Sequence, residues 1–171
     1  MEHGKTDESQ IDAVFPAAST VADAVDSAAV SSFTPRGGQT YVIIDVSRDD
    51  YPTLVQAARD AGYETFIDLC AVDFLAREPR FDVVVNLLSQ QYGERLRVKV
   101  GVPNEDPVLA SITSIYAGAN FYERETWDMF GIVFTEHPDL TRLLMPDEWE
   151  GHPLRKDFQV GSVPVEFKAT R

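Results

Sequence analysis

The chain has 171 residues, 44% of them hydrophobic, and a formal charge of -13 from 28 acidic against 15 basic side chains. That length supports one core-bearing domain. So acidic a balance excludes nonspecific binding to nucleic acid or anionic lipid, which needs Lys and Arg against phosphate.

Cys70 is the single cysteine, so this chain alone cannot make an internal disulfide, an iron-sulfur cluster or a Cys-rich zinc site. No apolar run approaches the ~20 residues that span a bilayer. The start, MEHGKTDESQ, lacks the basic and apolar regions of a signal peptide. The expectation is a cytosolic protein that meets a membrane only through a partner.

In chain order, residues 1–10 are polar and expected to fray. Ile11, Val14 and Phe15 share one face of a short helix that Pro16 is expected to stop. Ala28, Val30 and Ser32 alternate with Ala29, Ser31 and Phe33 as in a weak strand, and Arg36-Gly37-Gly38 reads as a hairpin turn. Residues 41–46 are β-branched and strand-like. Asp49 and Asp50 are N-cap candidates ahead of Pro52 in a first helical turn. Tyr51, Leu54, Val55, Ala58 and Ala61 recur at helical spacing, and Gly62 is the expected stop. Residues 65–72 and 81–88 are apolar and of strand length, and residues 90–94 make a turn. Next, Leu96, Val98, Val100 and Val102 alternate with Arg95, Arg97 and Lys99. That is a half-buried strand, expected to run antiparallel to 81–88.

Asp106-Pro107 is expected to open a second helix with Val108, Leu109, Ile112, Ile115 and Tyr116 as its apolar stripe, ended by Gly118. Asn120 is expected to cap a third, with Glu123 completing a capping box and Gly131 ending it. The order predicts an α+β fold: a two-layer domain with a mainly antiparallel sheet and helices on one face. Beyond Phe134, Pro138, Pro146, Pro153 and Pro164 exclude long regular elements and make an extended C-terminal arm. Leu140, Leu143, Leu144, Met145, Trp149, Leu154 and Phe158 are too many large apolar groups for a disordered tail. Some are expected to cover the chain's own sheet and others to meet another protein. The division is a polar, partly disordered segment at 1–25, the α+β domain at 26–134 and a docking arm at 135–171. Residues 151–171 hold four basic and two acidic side chains, which suits an acidic partner.

The densest polar cluster is Glu123-Arg124-Glu125-Thr126-Trp127-Asp128. Arg124 and Asp128 are four apart and share a helix face, as do Glu125 and Asp128. Two carboxylates can serve as acid and base, but the adjacent Arg is expected to hold Asp128 ionised. His137 and His152 each precede a proline, away from the i, i+4 spacing of paired metal ligands. Each is expected to make hydrogen bonds rather than bind metal. Cys70, between Leu69 and Ala71, reads as a buried structural thiol. Asp73 is expected to turn the chain at the strand end. Gly37-Gly38 precedes a strand, so it is no phosphate loop. Arg95, Arg97 and Lys99 read as a solvated strand face.

Residues 121–158 carry a longer pattern: FYERETWDMFGI, then His137-Pro138-Asp139-Leu140, then Arg142-Leu143-Leu144-Met145-Pro146 and Glu150-Gly151-His152-Pro153-Leu154-Arg155-Lys156-Asp157-Phe158. This closely resembles the 30-kilodalton subunit family of respiratory complex I, the NADH-quinone oxidoreductase of bacteria. The resemblance is weaker over 40–120, where residues 66–74 match a family strand pattern, and vague over 1–38. One departure is Thr141, where the family often has a basic residue. The chain is also expected to lack the longer C-terminal extensions of some relatives.

The resemblance implies a peripheral, non-catalytic subunit of the hydrophilic arm on the cytoplasmic face of the cell membrane. It implies docking against the 49-kilodalton-type subunit of the quinone pocket and near the iron-sulfur subunits. It implies no cofactor in this chain, with FMN, iron-sulfur clusters and quinone held elsewhere in the complex. The implied contribution is scaffolding that supports electron transfer from NADH to quinone. The interface residues it implies are Glu123, Arg124, Glu125, Asp128, His137, Arg142, Trp149, His152, Arg155, Lys156, Asp157 and Phe158. A cousin quinone-reducing or hydrogenase complex is a related reading. A free-standing enzyme using Glu125 and Asp128 is the reading from a different class.

Overall fold

Strand periodicity and register together decide which side chain of each strand meets the core. The structure is a computed structural model and describes residues 15–36 and 38–159. The expected fraying of residues 1–10 and the helix face begun by Ile11 and Val14 lie outside the described residues. Elements follow in the order α1 (Pro16–Ala22), β1 (Ala29–Phe33), β2 (Tyr41–Val46), α2 (Tyr51–Asp60), β3 (Thr65–Asp73), β4 (Phe81–Ser89) and β5 (Glu94–Val102). Then come β6 (Val108–Ala110), α3 (Ala119–Phe130) and β7 (Val133–Thr135). A five-stranded sheet has the order β1-β2-β5-β4-β3. Its pairs are antiparallel except β2 with β5, which α2 and the β3–β4 hairpin separate in sequence. This is the expected α+β class.

One face of the sheet is apolar. Val42, Ile44 and Val46 of β2, Phe81, Val83, Val85 and Leu87 of β4, and Leu96, Val98, Val100 and Val102 of β5 are all buried. Tyr51, Leu54, Val55 and Ala58 of α2 complete the same cluster. Each such Val or Leu contributes roughly 1.5–3 kcal/mol by leaving water. Pro52 sits in the first turn of α2, as its fixed φ allows. Gly62 follows the helix at φ +96°, a conformation that only glycine adopts without strain. Asp50 holds the N-cap position, but its side chain makes no cap bond. It accepts instead from Ser47 Oγ at 3.0 Å.

Several local expectations are corrected. Pro16 starts a helix rather than stopping one: its missing N–H costs nothing in the first turn. Ala18 and Val21 of that helix are fully buried, although α1 lies inside the 1–25 segment. The helix expected from Asp106-Pro107 is absent. Val108–Ala110 is a short strand parallel to Val133–Thr135, sealed by Ser111 N–H donating to the Thr135 carbonyl at 2.9 Å. α3 has Gly118 at its N-cap position and no side-chain cap, so no capping box forms. Cys70 is exposed, because β3 is an edge strand and Leu69, not Cys70, faces the core. Its thiol is pushed up by partial desolvation and by Asp68.

The basic strand face is paired rather than only solvated. Lys99 meets its register partner Asp45 at 2.6 Å. Arg97 donates to Asn86 Oδ1 at 2.9 Å and lies 4.7 Å from the Tyr41 ring. After β7, no helix or strand occurs among the described residues.

Candidate docking site

α3 carries two fully buried carboxylates, Glu123 and Asp128. Five residues apart, they point about 140° away from each other around the helix. One therefore reaches the β6 side and the other the arm.

Glu123 Oε1 accepts from the Ile112 N–H at 2.8 Å, and Oε2 accepts from Ser111 Oγ at 2.6 Å. It thus holds the turn after β6, a long-range bond that helical spacing in 106–118 could not reveal. Burial pushes its carboxyl up to about 7 against the pull of those two hydrogen bonds.

Asp128 collects the start of the arm. Oδ2 accepts from the backbone N–H groups of Leu143, Leu144 and Met145 at 3.0, 2.8 and 2.9 Å. Oδ1 accepts from Arg142 Nη1 at 2.6 Å. Desolvation acts to raise its pKa, yet these four bonds outweigh it and hold the carboxyl below its usual range. The expected ionised state is correct in direction, but the cation is Arg142. Arg124 instead bridges to the Thr141 carbonyl, to Thr141 Oγ1 at 2.9 Å and to the Arg142 carbonyl. Thr141 at the departure from the family pattern is therefore an acceptor for Arg124. Asp128 is fully buried, and its four hydrogen bonds all come from donors within the chain. Glu125 is exposed.

The histidines stitch the same assembly. His137 Nδ1 accepts from the Asp139 N–H at 3.1 Å, so Nε2 carries the proton and donates to the Asn120 carbonyl at 3.2 Å. His152 Nδ1 donates to the Asp128 carbonyl at 3.0 Å. Its ring fills the space beside Gly131, where a Cβ would lie 2.6 Å away. Gly131 ends α3 in the left-handed conformation at φ +76°. No group of three or more His, Cys, Asp or Glu is placed to hold a metal among the described residues.

A second clasp holds the arm's far end, and the sequence pattern pointed to only half of it. Asp73 receives Arg80 in a bidentate pair, Nε at 2.8 Å and Nη2 at 2.7 Å. It also accepts from the N–H groups of Leu75 and Lys156, so its turn role is as expected but not its whole role. Arg80 binds Asp157 through Nη1 and Nη2 at 2.7 and 2.8 Å. The Arg80 guanidinium holds the Asp73 carboxyl well below the usual range and lowers that of Asp157. Arg155 Nη2 donates to Asn104 Oδ1 at 2.8 Å and stacks over Phe81. Trp149 and Phe158 stack at 6.4 Å, and Arg142 Nη2 donates to the Trp149 carbonyl at 2.6 Å. Lys156 is exposed and lends only its backbone N–H. Arg80 lies 7 residues from Asp73 and 77 from Asp157, so no local spacing signalled that the three would pair.

These clasps tie the arm to α3 and to the end of β3. Most of the exposed large apolar side chains lie on them: Val72, Phe74 and Leu75 at the end of β3, Phe121 and Tyr122 on α3, and Leu143, Leu144 and Leu154 on the arm. Leu154 N–H donates to the Met129 carbonyl, fixing that leucine beside α3.

Comparison with known proteins agrees with this architecture. The family described as respiratory-chain NADH dehydrogenase, 30 Kd subunit, matches residues 44–163. The corresponding NADH-quinone oxidoreductase subunit of Roseiflexus castenholzii is 50% identical over 73% of this chain and 69% of its own length. That of Herpetosiphon aurantiacus is 46% identical over 72% and 74%. A trypsin-resistant fragment of Nqo5 aligns at 30% identity with TM-score 0.61, covering 77% of this chain and 99% of the fragment. A chain from an archaeal membrane-bound sulfane sulfur reductase shares the fold at 20% identity and TM-score 0.71, over 90% of this chain and 94% of that one. The chain belongs to the respiratory-chain NADH dehydrogenase 30-kilodalton subunit family, whose bacterial members are subunits of NADH-quinone oxidoreductase.

Proposed function

We propose that this chain is a non-catalytic docking subunit of the peripheral arm, which seats against the 49-kilodalton-type, quinone-pocket subunit and neighbouring iron-sulfur subunits. FMN, iron-sulfur clusters and quinone belong, on this reading, to those partners. The chain supports transfer of electrons from NADH to quinone by holding its neighbours in place, on the cytoplasmic face of the cell membrane. No helix among the described residues is long and apolar enough to cross a membrane.

The observation that supports this most is the exposure of apolar side chains on hydrogen-bonded backbone, and on this reading those side chains form the docking face. Leu144 and Leu154 are 60% and 53% exposed, yet their backbones are pinned by Asp128 and by Met129. Leaving such side chains in water is unfavourable by roughly 1.5–3 kcal/mol each, which a partner's apolar surface recovers. Because the segment is already ordered, docking loses little conformational entropy. Arg124, Arg155 and Lys156 border the face with positive charge, which suits an acidic rim on the partner. Glu123 and Asp128 are buried within the chain, so they serve docking by shaping the face.

The test is copurification from gently solubilised membranes with Leu144→Asp and Leu154→Asp combined in the full chain. The wild type should bring along the quinone-pocket and iron-sulfur subunits. The double variant should fold with unchanged thermal stability and lose them. Undiminished recovery by the folded variant would overturn this placement of the interface.

A further inference from the structure

Glu123 is left over once docking is described. It is fully buried, and its carboxyl accepts from the Ser111 hydroxyl and the Ile112 N–H rather than from a cation. Ser111 Oγ lies 2.6 Å from Oε2 and 2.8 Å from Thr113 Oγ1, and between those two hydroxyls either can donate. Ser111 and Thr113 are half-buried. Two titratable groups face the carboxyl from other elements. His137, after β7, has Nε2 4.0 Å from Oε2, with its proton committed to Asn120. Tyr51, on α2, is fully buried, and its hydroxyl has no hydrogen-bond partner among the described residues. Neither supplies a full positive charge to the site when the imidazole is neutral.

We propose that Glu123 is a reversible proton-binding site, with the Ser111 and Thr113 hydroxyls reversing direction to satisfy both of its states. In the ionised state the Thr113 hydroxyl donates to Ser111, and the Ser111 hydroxyl donates to Oε2. A hydronium ion at the surface gives one proton to Thr113 Oγ1. Thr113 passes its own proton to Ser111, and Ser111 passes its own to Oε2. The neutral carboxyl then donates to Ser111, Ser111 donates to Thr113, and one water is released. No hydrogen bond is left broken in either state. The Ile112 N–H stays on Oε1 throughout and reports the charge there. Burial without a countercharge sets the exchange close to neutral pH.

The experiment follows the Ile112 backbone amide and the glutamate side-chain carbons by NMR in the full chain between pH 4 and 9. A midpoint near 7 in both signals is the expected result. Removing the donor in Ser111→Ala should move that midpoint upward, and Glu123→Gln should abolish it. A Glu123 midpoint at 4–5 overturns the proposal. So does an Ile112 signal that does not titrate with the Glu123 side-chain carbons, or a midpoint unmoved by Ser111→Ala. If Glu123→Gln does not fold, the wild-type and Ser111→Ala titrations still decide.

Discussion

Replacing Asp128 by Asn should cost far more than the loss of one formal charge suggests. The side chain is fully buried, and Oδ1 and Oδ2 face only donors: Arg142 on one side and three successive backbone N–H groups on the other. An amide must turn its NH2 towards one of these sets, whichever way it flips. Arg142 is then a largely buried guanidinium without its counter-ion. Breaking a buried pair in this way costs about 3–5 kcal/mol. For a chain of this size that corresponds to a fall in Tm of roughly 6–20 °C if unfolding is global. If the arm opens alone, the amides of Leu143, Leu144 and Met145 should exchange about 100-fold faster or more, since each 1.4 kcal/mol is a factor of ten. Calorimetry with hydrogen exchange on Asp128→Asn reads both. A Tm within 2 °C of wild type together with unchanged exchange at 143–145 would refute the reasoning.

Further outcomes follow from other contacts. Asp73, Asp128 and Asp157 have carboxyls held below the ordinary range. Their stabilisation is complete above the unfolded value near 3.8 and is lost as pH falls through the folded values, so acid should release the arm. Amide exchange at 143–145 and at Lys156, measured down to pH 2.5, checks this. Glu123 acts in the opposite sense: its raised carboxyl adds stability below about 4.5 that is lost as pH rises through about 7. Urea midpoints between pH 5 and 8 should therefore fall with pH in wild type but not in Glu123→Gln. Gly131→Ala should destabilise by about 1–2 kcal/mol from φ +76° alone, and by more because its Cβ meets the His152 ring; thermal melts measure it. Cys70, being exposed, should react completely with a thiol reagent in the folded chain, and faster as pH rises through its elevated pKa.

What could be read from the residues divides along a physical line. The strands β1 to β5 and helix α2 show locally: β2, β5 and α2 through a periodic apolar face turned to the core, β3 and β4 through apolar runs of strand length, and β1 through weak alternation. Gly62 and Gly131 mark helix ends through backbone freedom, which is also local. The segment 106–118 misleads because Val108, Leu109, Ile112 and Tyr116 satisfy a helical stripe. Its strand exists only through pairing with Val133–Thr135 and the grip of Glu123, both distant in sequence. The same limit explains the cation beside Asp128. Helix spacing offers Arg124, but the arm folds back and delivers Arg142. Cys70 misleads because an edge strand with apolar neighbours resembles a buried one. The resemblance at 121–158 marks residues that matter but not how each acts. Glu123 and Asp128 brace the interior, whereas Leu144 and Leu154 stand outside it.

The docking account is tested most directly by hydroxyl-radical footprinting of the chain, alone and within the gently solubilised complex. Oxidation of Phe121, Leu144, Leu154 and Phe74 should fall several-fold in the complex. Tyr41 and Ile43, on the sheet face away from the helices, should react alike in both. Protection of Tyr41 and Ile43 with Leu144 and Leu154 still fully reactive would contradict the account.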